Sequence, residues 1–293
     1  MKGSSISNEK KAINTILFSI VGNGFLAVIK GLAGFFGNSY ALIADAIEST
    51  TDIFSSLLVL LGLKYANKPA DKNHPYGHGK IEPLVTFLLV GFLVVSATVI
   101  AYESIQNIQK PHELPEKWTL IVLLVLIIWK EFSFRIIIRK SEETNSSSLK
   151  ADAWHHRSDA ITSIAAFVGI SIALFLGKGY EAADDFAALF ASFFILYNSY
   201  LIFRPALGEI MDEHFYDDLV EDIRKISITV EGIKGTEKCF IRKVGMIYHV
   251  ELHAKVDGNI SVSEGHNLAH HLKDSLRDKI SQLGHVLIHI EPE

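Results

Sequence analysis

Residues 44–52 read ADAIESTTD and residues 151–159 read ADAWHHRSD, so the pattern Ala-Asp-Ala-x-[Glu/His]-x-x-[Thr/Ser]-Asp occurs twice. In each copy the fifth and ninth residues are four apart, a spacing that places them on one face of an α-helix. Carboxylates and imidazole suit a divalent first-row metal, since imidazole favours ions such as zinc and iron while oxygen ligands extend the range toward manganese. Together the two faces predict a metal site with four ligands: Glu48, Asp52, His155 and Asp159.

Both copies lie in apolar stretches that are long enough to cross a bilayer, which takes about 20 residues. The chain has 293 residues, 49% of them hydrophobic, and a mean hydropathy of +0.26. Five apolar runs carry few or no charges: 13–36, 40–63, 84–105, 118–138 and 182–203. A sixth, at 148–176, begins with the polar second copy and continues without a turn signal, so we interpret it as one helix with a charged inner half. We therefore predict an all-α transmembrane domain of six helices over residues 1–208.

The basic residues predict how these helices are oriented, because cytoplasmic loops are enriched in lysine and arginine. Two alternate loops carry most of them: Lys64, Lys68, Lys72 and Lys80 in one, and Arg135, Arg139, Lys140 and Lys150 in the other. We therefore expect a multi-pass protein of the cell (inner) membrane with both termini in the cytoplasm. The two copies of the repeat would then run antiparallel, as in transporters that bind their substrate between inverted repeats.

An acidic residue near the bilayer centre costs about 2.5–3.5 kcal/mol on insertion scales, so several such residues indicate a function. The alternative is that they form structural ion pairs with Lys30, Lys130 or Arg157. Asp45 and Asp152 are also repeated, and the sequence leaves open whether they support the metal site or serve helix packing.

A second cluster lies in the loop between the second and third helices, where residues 69–82 read PADKNHPYGHGKIE. Asp71, His74 and His78 are close in sequence, and the proline and glycines between them favour a tight turn over a helix. Such a turn can gather the three side chains around an ion. A solvated polar loop without an ion is the alternative.

The hydropathy falls after Arg204, and residues 209–293 have the patterning of a small α/β domain of the order αββαβ. Residues 247–256 alternate apolar and polar side chains, which predicts a strand with one buried face. Ser261 and Glu264 form a capping-box signal for an amphipathic helix. We expect its inward residues to be Leu268, Leu272, Leu276, Ile280 and Leu283.

This second domain also carries side chains that suit a metal. His253 lies on the polar face of the predicted strand, and His289 shares a strand face with Glu291. His266 and His270 are four apart on the capped helix, although each histidine alone is typical of an ordinary surface. From these we predict a further metal site with His253, His266, His289 and Glu291 as ligands.

Other functions find little support in the sequence. The net charge of −5 and the lack of a groove-reading motif argue against nucleic acid as a partner. The one cysteine, Cys239, excludes an intrachain disulfide. No HExxH, P-loop or GxSxG motif occurs, and no cofactor other than the metal ion is expected.

With the two repeats, the HPYGHGK loop and the second domain, the chain resembles the cation diffusion facilitator family over nearly its full length. The resemblance implies a homodimer that exports Zn²⁺, Fe²⁺, Mn²⁺ or Co²⁺ in exchange for protons, with a ferredoxin-like cytosolic domain that binds metal and regulates transport. It also implies a salt bridge between Lys80 and Asp212 near the dimer interface, and it places Glu237 where zinc-exporting relatives carry a histidine ligand.

Zn²⁺ is the first expectation for the cargo, but Glu48 stands where well-known zinc exporters have His or Asp, which leaves the metal open. The absence of a long His-rich loop fits a bacterial-type member. Two rival functions remain at this point: a membrane metal sensor without flux, and an intramembrane metallohydrolase.

Overall fold

The computed structural model describes residues 2–36, 40–108, 118–176, 182–213 and 216–293. The side chains of residues 33–51, which include Asp45 and Glu48, and that of Lys30 lie outside this description. The chain divides into two compact units. One consists of Lys10–Tyr65 and Ile81–Ala206, and the other contains Ala66–Lys80 together with Leu207–Glu293.

The first unit is made of six long helices, which confirms the predicted all-α architecture. Their bounds are α1 Lys2–Phe36, α2 Tyr40–Ala66, α3 Ile81–Ile108, α4 Thr119–Thr144, α5 Ser147–Leu176 and α6 Ala183–Ile210. Among the described residues, four segments are long and apolar enough to cross a membrane: Lys10–Ile29, Ile81–Gln106, Ser147–Leu176 and Asp185–Ile210. The third of these segments, Ser147–Leu176, is 30 residues long and includes the polar second repeat, as the sequence predicts.

The connection between α4 and α5 is shorter than the interval between the apolar runs 118–138 and 148–176 of the sequence. The stretch SEETNSSS is mostly helical, and only Asn145 and Ser146 separate the two helices. Asn145 takes a left-handed conformation with φ 58°, which asparagine tolerates better than most residues. Glu82 then accepts hydrogen bonds from the Ser146 hydroxyl and from the Ser148 amide and hydroxyl, so it fixes the start of α5.

Close packing brings the helices of this unit together. Gly22 on α1 faces Trp129 on α4, and a Cβ at Gly22 would lie 2.7 Å from the indole ring. A larger residue at this position would therefore force the Trp129 ring to shift, because a real Cβ does not approach another heavy atom so closely.

The second unit has the predicted order of elements: α7 Asp217–Ser227, β1 Gly235–Val244, β2 Ile247–Val256, α8 Val262–Lys279 and β3 Leu283–Pro292. The strands form one sheet in the order β1-β2-β3, in which β2 pairs antiparallel with β1 and parallel with β3. The apolar faces of α7, α8 and the sheet enclose a core that includes Ile223, Leu252, Leu272 and Leu276.

The strand prediction for residues 247–256 is confirmed, with Val250, Leu252, Ala254 and Val256 buried. The capping box of Ser261 and Glu264 is also present. The expected inward face of the helix was wrong at its end, because α8 stops at Lys279. Leu283 is the first residue of β3, and it reaches the same core from the strand.

Candidate metal centres

Three of the four ligands that the two repeats predict lie close together between α2 and α5. Asp52, His155 and Asp159 offer ligand atoms that all lie within 4.8 Å of one another. Asp52 is only 5% exposed, and the other two are partly buried. α5 supplies His155 and Asp159 from successive turns, since residues four apart share a helix face. The centre has one imidazole and two carboxylates, a donor set that divalent transition metals accept.

The fourth predicted ligand, Glu48, has its backbone in α2, one turn before Asp52. Its side chain lies outside the described residues, so its part in the centre stays a prediction. Asp45 lies in the same part of α2, and its role likewise stays open.

Hydrogen bonds already tie the centre together. His155 Nε2 lies 3.0 Å from Asp52 Oδ1, to which the imidazole donates. Lys130 on α4 donates from Nζ to Asp52 Oδ2 at 2.6 Å and to Asp159 Oδ2 at 2.7 Å. The pairing of these acids with Lys130, which the sequence offered as a structural alternative, is therefore present. Arg157 instead lies over the Phe134 ring, with the guanidinium carbon 4.4 Å from the ring centroid.

A buried polar chain adjoins this centre. Asp152, fully buried on α5, accepts from the Ser56 hydroxyl at 3.2 Å. Ser56 lies 3.2 Å from Ser19, whose hydroxyl is 2.7 Å from His156 Nε2. These hydrogen bonds join Asp152 of α5 to serines of α2 and α1. The sequence reasoning gave His156 no role, although its position next to His155 was a signal.

The loop residues Asp71, His74 and His78 form a second group whose ligand atoms lie within 4.8 Å of one another. Asp71 Oδ1 accepts the backbone N–H groups of Asn73 at 2.9 Å and of His74 at 2.7 Å. These hydrogen bonds lower the pKa of Asp71 below its ordinary value, and the bond from the His74 amide has the largest effect. His78 Nε2 is 3.4 Å from Asp71 Oδ2, and its ring centroid is 4.4 Å from that of His74. The turn thus holds an ionised carboxylate between two imidazoles.

A third group lies on the exposed face of the sheet, where His253, His289 and Glu291 come together. His253 and His289 are direct partners in the parallel register, and their ring centroids are 4.8 Å apart. Glu291 Oε1 accepts from His253 Nδ1 at 2.6 Å and lies 3.8 Å from His289 Nε2. The hydrogen bond from His253 lowers the pKa of Glu291, so the carboxylate is ionised at neutral pH.

The structure does not place His266 in this third group. His266 lies exposed on α8, where its ring centroid is 4.6 Å from that of His270. Glu237 is likewise engaged elsewhere, since its carboxylate lies 3.3 Å from Lys255 Nζ. α8 packs on the apolar face of the sheet, whereas His253 projects from the opposite face, which explains why His266 and His253 lie apart within this chain.

The predicted salt bridge between Lys80 and Asp212 is present, with Nζ 2.6 Å from Oδ1. Lys80 also donates to the backbone carbonyl of Glu209, whose carboxylate forms a buried ion pair with Lys243 at 2.8 Å. Gly79 allows this approach, because a Cβ there would lie 2.6 Å from the Val244 carbonyl carbon. These contacts fix residues 66–80 against β1 within the second unit.

Comparison with known proteins gives matches over nearly the whole chain. Residues 16–211 match the family model described as the cation efflux transmembrane domain, and residues 215–293 match the one described as the cation efflux protein cytoplasmic domain. The manganese efflux system protein MneP of Bacillus subtilis is 27% identical, and the alignment covers 98% of this chain and 99% of MneP.

The cation-efflux pump FieF of Pectobacterium atrosepticum is 29% identical, over 91% of this chain and 88% of the pump. Among solved structures, a MamM-CTD structure is 18% identical with a TM-score of 0.26, over 27% of this chain and 99% of that one.

Proposed function

Because the chain belongs to the cation diffusion facilitator family, we propose that its centre of Asp52, His155 and Asp159, completed by Glu48, carries a divalent metal ion across the membrane. The family and the relatives are cation transporters, so the chain is a multi-pass membrane protein that exports divalent metal cations and is not an enzyme. We propose, in addition, which ion is transported, which residues bind this ion and that its transport is coupled to protons.

The observation that carries the proposal is the meeting of Asp52, His155 and Asp159 between two apolar helices. Ionisable residues inside a membrane helix are costly, and they mark ion pathways when they cluster. The two repeats offer ligands from antiparallel helices, so rocking one helix against the other would expose the centre to one side and then to the other.

For the ion, Zn²⁺ is the first candidate, because the imidazole of His155 and a set of four ligands suit zinc. Mn²⁺ is the second candidate. The carboxylates outnumber the imidazole, and oxygen ligands suit manganese. The relative MneP, aligned over almost the whole chain, is a manganese efflux system. Fe²⁺ and Co²⁺ fall between these two in their preferences for ligands.

Protons are the proposed counter-ions. A histidine or carboxylate must lose its proton before it coordinates a metal, so metal and protons compete for the same side chains. An inward-facing centre would release protons as it takes up the ion. An outward-facing centre would release the ion as protons return, which makes the exchange an antiport.

We further propose that the protein lies in the inner membrane and that cytosolic metal regulates it. The basic loops support a location in the cell (inner) membrane with both termini and the C-terminal domain in the cytoplasm. The group of His253, His289 and Glu291 lies on an exposed sheet face, where a second copy would add its own ligands in a homodimer. Metal binding there, and at Asp71, His74 and His78, would then report the cytosolic metal concentration to the transport centre.

The test is metal flux into proteoliposomes under an imposed pH gradient, with Zn²⁺, Mn²⁺, Fe²⁺ and Co²⁺ compared at equal free concentrations. We expect proton-coupled flux in the wild-type protein and its loss in Asp159→Ala and His155→Ala. Glu103→Gln is the matched control, because Glu103 is an exposed acid on α3. It should transport like the wild type.

The outcomes separate the candidates. A higher kcat/KM for Zn²⁺ supports the first candidate, and a higher value for Mn²⁺ supports the second. Flux that ignores the pH gradient would contradict the antiport. Binding of metal at Asp159 without flux of any ion would contradict transport and leave a membrane metal sensor as the function.

A further inference from the structure

Lys130 is the cation that the centre between α2 and α5 already contains. It lies on α4, is 5% exposed, and donates from Nζ to Asp52 Oδ2 at 2.6 Å and to Asp159 Oδ2 at 2.7 Å. Both carboxylates belong to the described set of candidate metal ligands. A lysine buried to this degree needs such partners, because a charged group without them is rarely buried.

The ammonium group and a metal ion would need the same two carboxylates. Asp52 already uses Oδ1 toward His155 and Oδ2 toward Lys130. A zinc ion bound to one of these carboxylates would lie about 2.0–2.2 Å from its oxygen, which brings the ion close to the ammonium group that the same carboxylate holds. The repulsion between the two cations is also strong in a medium of low dielectric constant. Metal binding must therefore move Lys130 Nζ away from at least one carboxylate.

We propose that Lys130 is a tethered competitor of the transported ion, and that its exchange with the metal at Asp52 and Asp159 sets the affinity of the centre. This inference rests on the proposed function of that centre. Lys130 is then a specificity-determining residue that touches the ligands instead of the ion.

Two consequences follow from the exchange. First, a centre rich in carboxylates binds a divalent ion tightly, yet transport requires that the ion also leave. A lysine that returns to Asp52 and Asp159 weakens binding and promotes release. Second, a monovalent ion that displaces an ammonium group gains nothing in charge, whereas a divalent ion does. The lysine thus favours divalent over monovalent cations.

A purely structural role is the competing explanation, in which Lys130 only neutralises the acids so that α2 and α5 tolerate the membrane. The two explanations differ in what removal of the charge does to metal binding. A structural counter-ion leaves metal affinity unchanged or weakens it when removed. A competitor makes affinity tighter when removed.

The experiment compares, in the full chain, protein that keeps Lys130 with the Lys130→Met and Lys130→Arg variants. The loop and sheet groups are disabled in all three by His74→Ala and His253→Ala, so that binding reports the membrane centre. We expect Lys130→Met to lower the Kd and the KM for the transported ion by about tenfold or more, since removal of one nearby charge has an effect of that size. Its maximal flux should fall because release becomes slow, and Lys130→Arg should restore both values toward the wild type.

An unchanged or raised Kd in folded Lys130→Met protein would overturn the proposal. If that variant does not fold, wild-type protein supplies the test. Saturating Zn²⁺ or Mn²⁺ should then increase acylation of Lys130 by a small amine-reactive acyl ester, measured by mass spectrometry, and no increase would overturn the proposal. Loss of flux in the wild type would refute the proposed function, whereas normal wild-type flux with unaltered Lys130→Met affinity refutes only the competitor.

Discussion

His249 is a histidine that the fold keeps neutral. It lies on β2, half-buried, with its ring centroid 6.0 Å from that of His285 and with Arg242 near it. Burial, helped by the charges of His285, Arg242 and Lys80, lowers the pKa of His249 from 6.5 to about 4. Between these two pH values the unfolded chain binds a proton that the folded chain does not, so stability rises with pH across this window.

We therefore predict that the second unit loses stability as the pH falls from 7 to 4. The His249 contribution should be roughly 1–2 kcal/mol, which allows for solvent screening of a half-buried group. Hydrogen exchange of the β2 amides, corrected for intrinsic rates, measures the change in the full chain. His249→Gln should reduce this pH dependence, and His271→Gln, an exposed control on α8, should keep it. An equal slope in all three proteins would contradict the assignment to His249.

Cys239 offers a second measurement at the scale of one residue, because it is the only cysteine in the chain. It is buried in β1, and burial raises the pKa of its thiol to about 11. The thiolate is the reactive form, so a raised pKa and burial both slow alkylation.

We expect maleimide at neutral pH to label native Cys239 on the order of 100-fold more slowly than the urea-unfolded chain. Mass spectrometry after timed quenching gives both rates. A Cys239→Ser protein that carries Ser263→Cys on the exposed side of α8 should label rapidly. Rapid labelling of native wild type would show that β1 opens readily, contrary to the packing of Cys239 in the core.

At the scale of elements, the start of α8 depends on a reciprocal cap. The Ser261 hydroxyl accepts from the Glu264 amide at 3.2 Å, and Glu264 Oε2 accepts from the Ser261 amide at 2.7 Å. Both interactions satisfy backbone donors that the first turn of a helix leaves without partners.

Ser261→Ala should therefore destabilise the second unit by about 1 kcal/mol, the usual cost of losing a serine N-cap. Ser263→Ala, an exposed change within the same turn, should alter stability by much less. Urea unfolding followed by hydrogen exchange in α8 provides the comparison. Equal effects of the two substitutions would mean that the cap contributes little here.

The segment after α6 holds an aspartate in an uncommon conformation. Asp212 has φ 53°, a left-handed value that Asp and Asn tolerate better than other non-glycine residues. Its carboxylate forms the partly exposed ion pair with Lys80. Two substitutions of Asp212 distinguish the contribution of its backbone conformation from that of its ion pair with Lys80.

Asp212→Asn keeps the backbone preference and loses only the charge, so we expect a cost below about 1 kcal/mol, as for other exposed ion pairs. Asp212→Ala loses both and should cost about 1 kcal/mol more, because alanine disfavours the left-handed region. Thermal unfolding of the two variants in detergent gives the difference. If alanine proves no worse than asparagine, the backbone conformation does not contribute.

How far the sequence predicts these elements depends on the range of the interactions. The alternation in residues 247–256 and the Ser261 cap are local, and the structure has both. The end of α8 was misplaced because Leu283 fits the helical period yet belongs to β3, and only strand pairing decides between them. The tight α4–α5 connection was missed because Glu82, distant in sequence, stabilises it.

For the candidate site the same distinction applies. The repeat predicted Asp52, His155 and Asp159 from spacing alone, since residues four apart share a helix face. The sequence named Lys130 only as one of several counter-ions. Lys130 contacts Asp52 and Asp159 because α4 packs beside α5, and no local sequence pattern encodes this packing.

At the scale of the whole molecule, the question is whether the sheet group affects flux. His253, His289 and Glu291 share a metal-binding geometry on the second unit, whereas Asp52, His155 and Asp159 belong to the first. If metal at the sheet group favours one state of the transporter, then thermodynamic linkage requires that this state bind metal more tightly at the sheet group. Such coupling makes the flux rise more steeply with metal concentration than a single binding site would allow.

We therefore expect His253→Ala with His289→Ala to keep flux at saturating metal and to lose the steep dependence at low metal. The apparent Hill coefficient should fall to about 1, the value for a single site. Stopped-flow flux in proteoliposomes across a series of free metal concentrations measures this coefficient. His270→Ala with His271→Ala removes two exposed histidines on α8 and should leave the curve as in the wild type. Identical curves for all three proteins would contradict regulation by the sheet group, because the membrane centre would then account for the whole metal dependence.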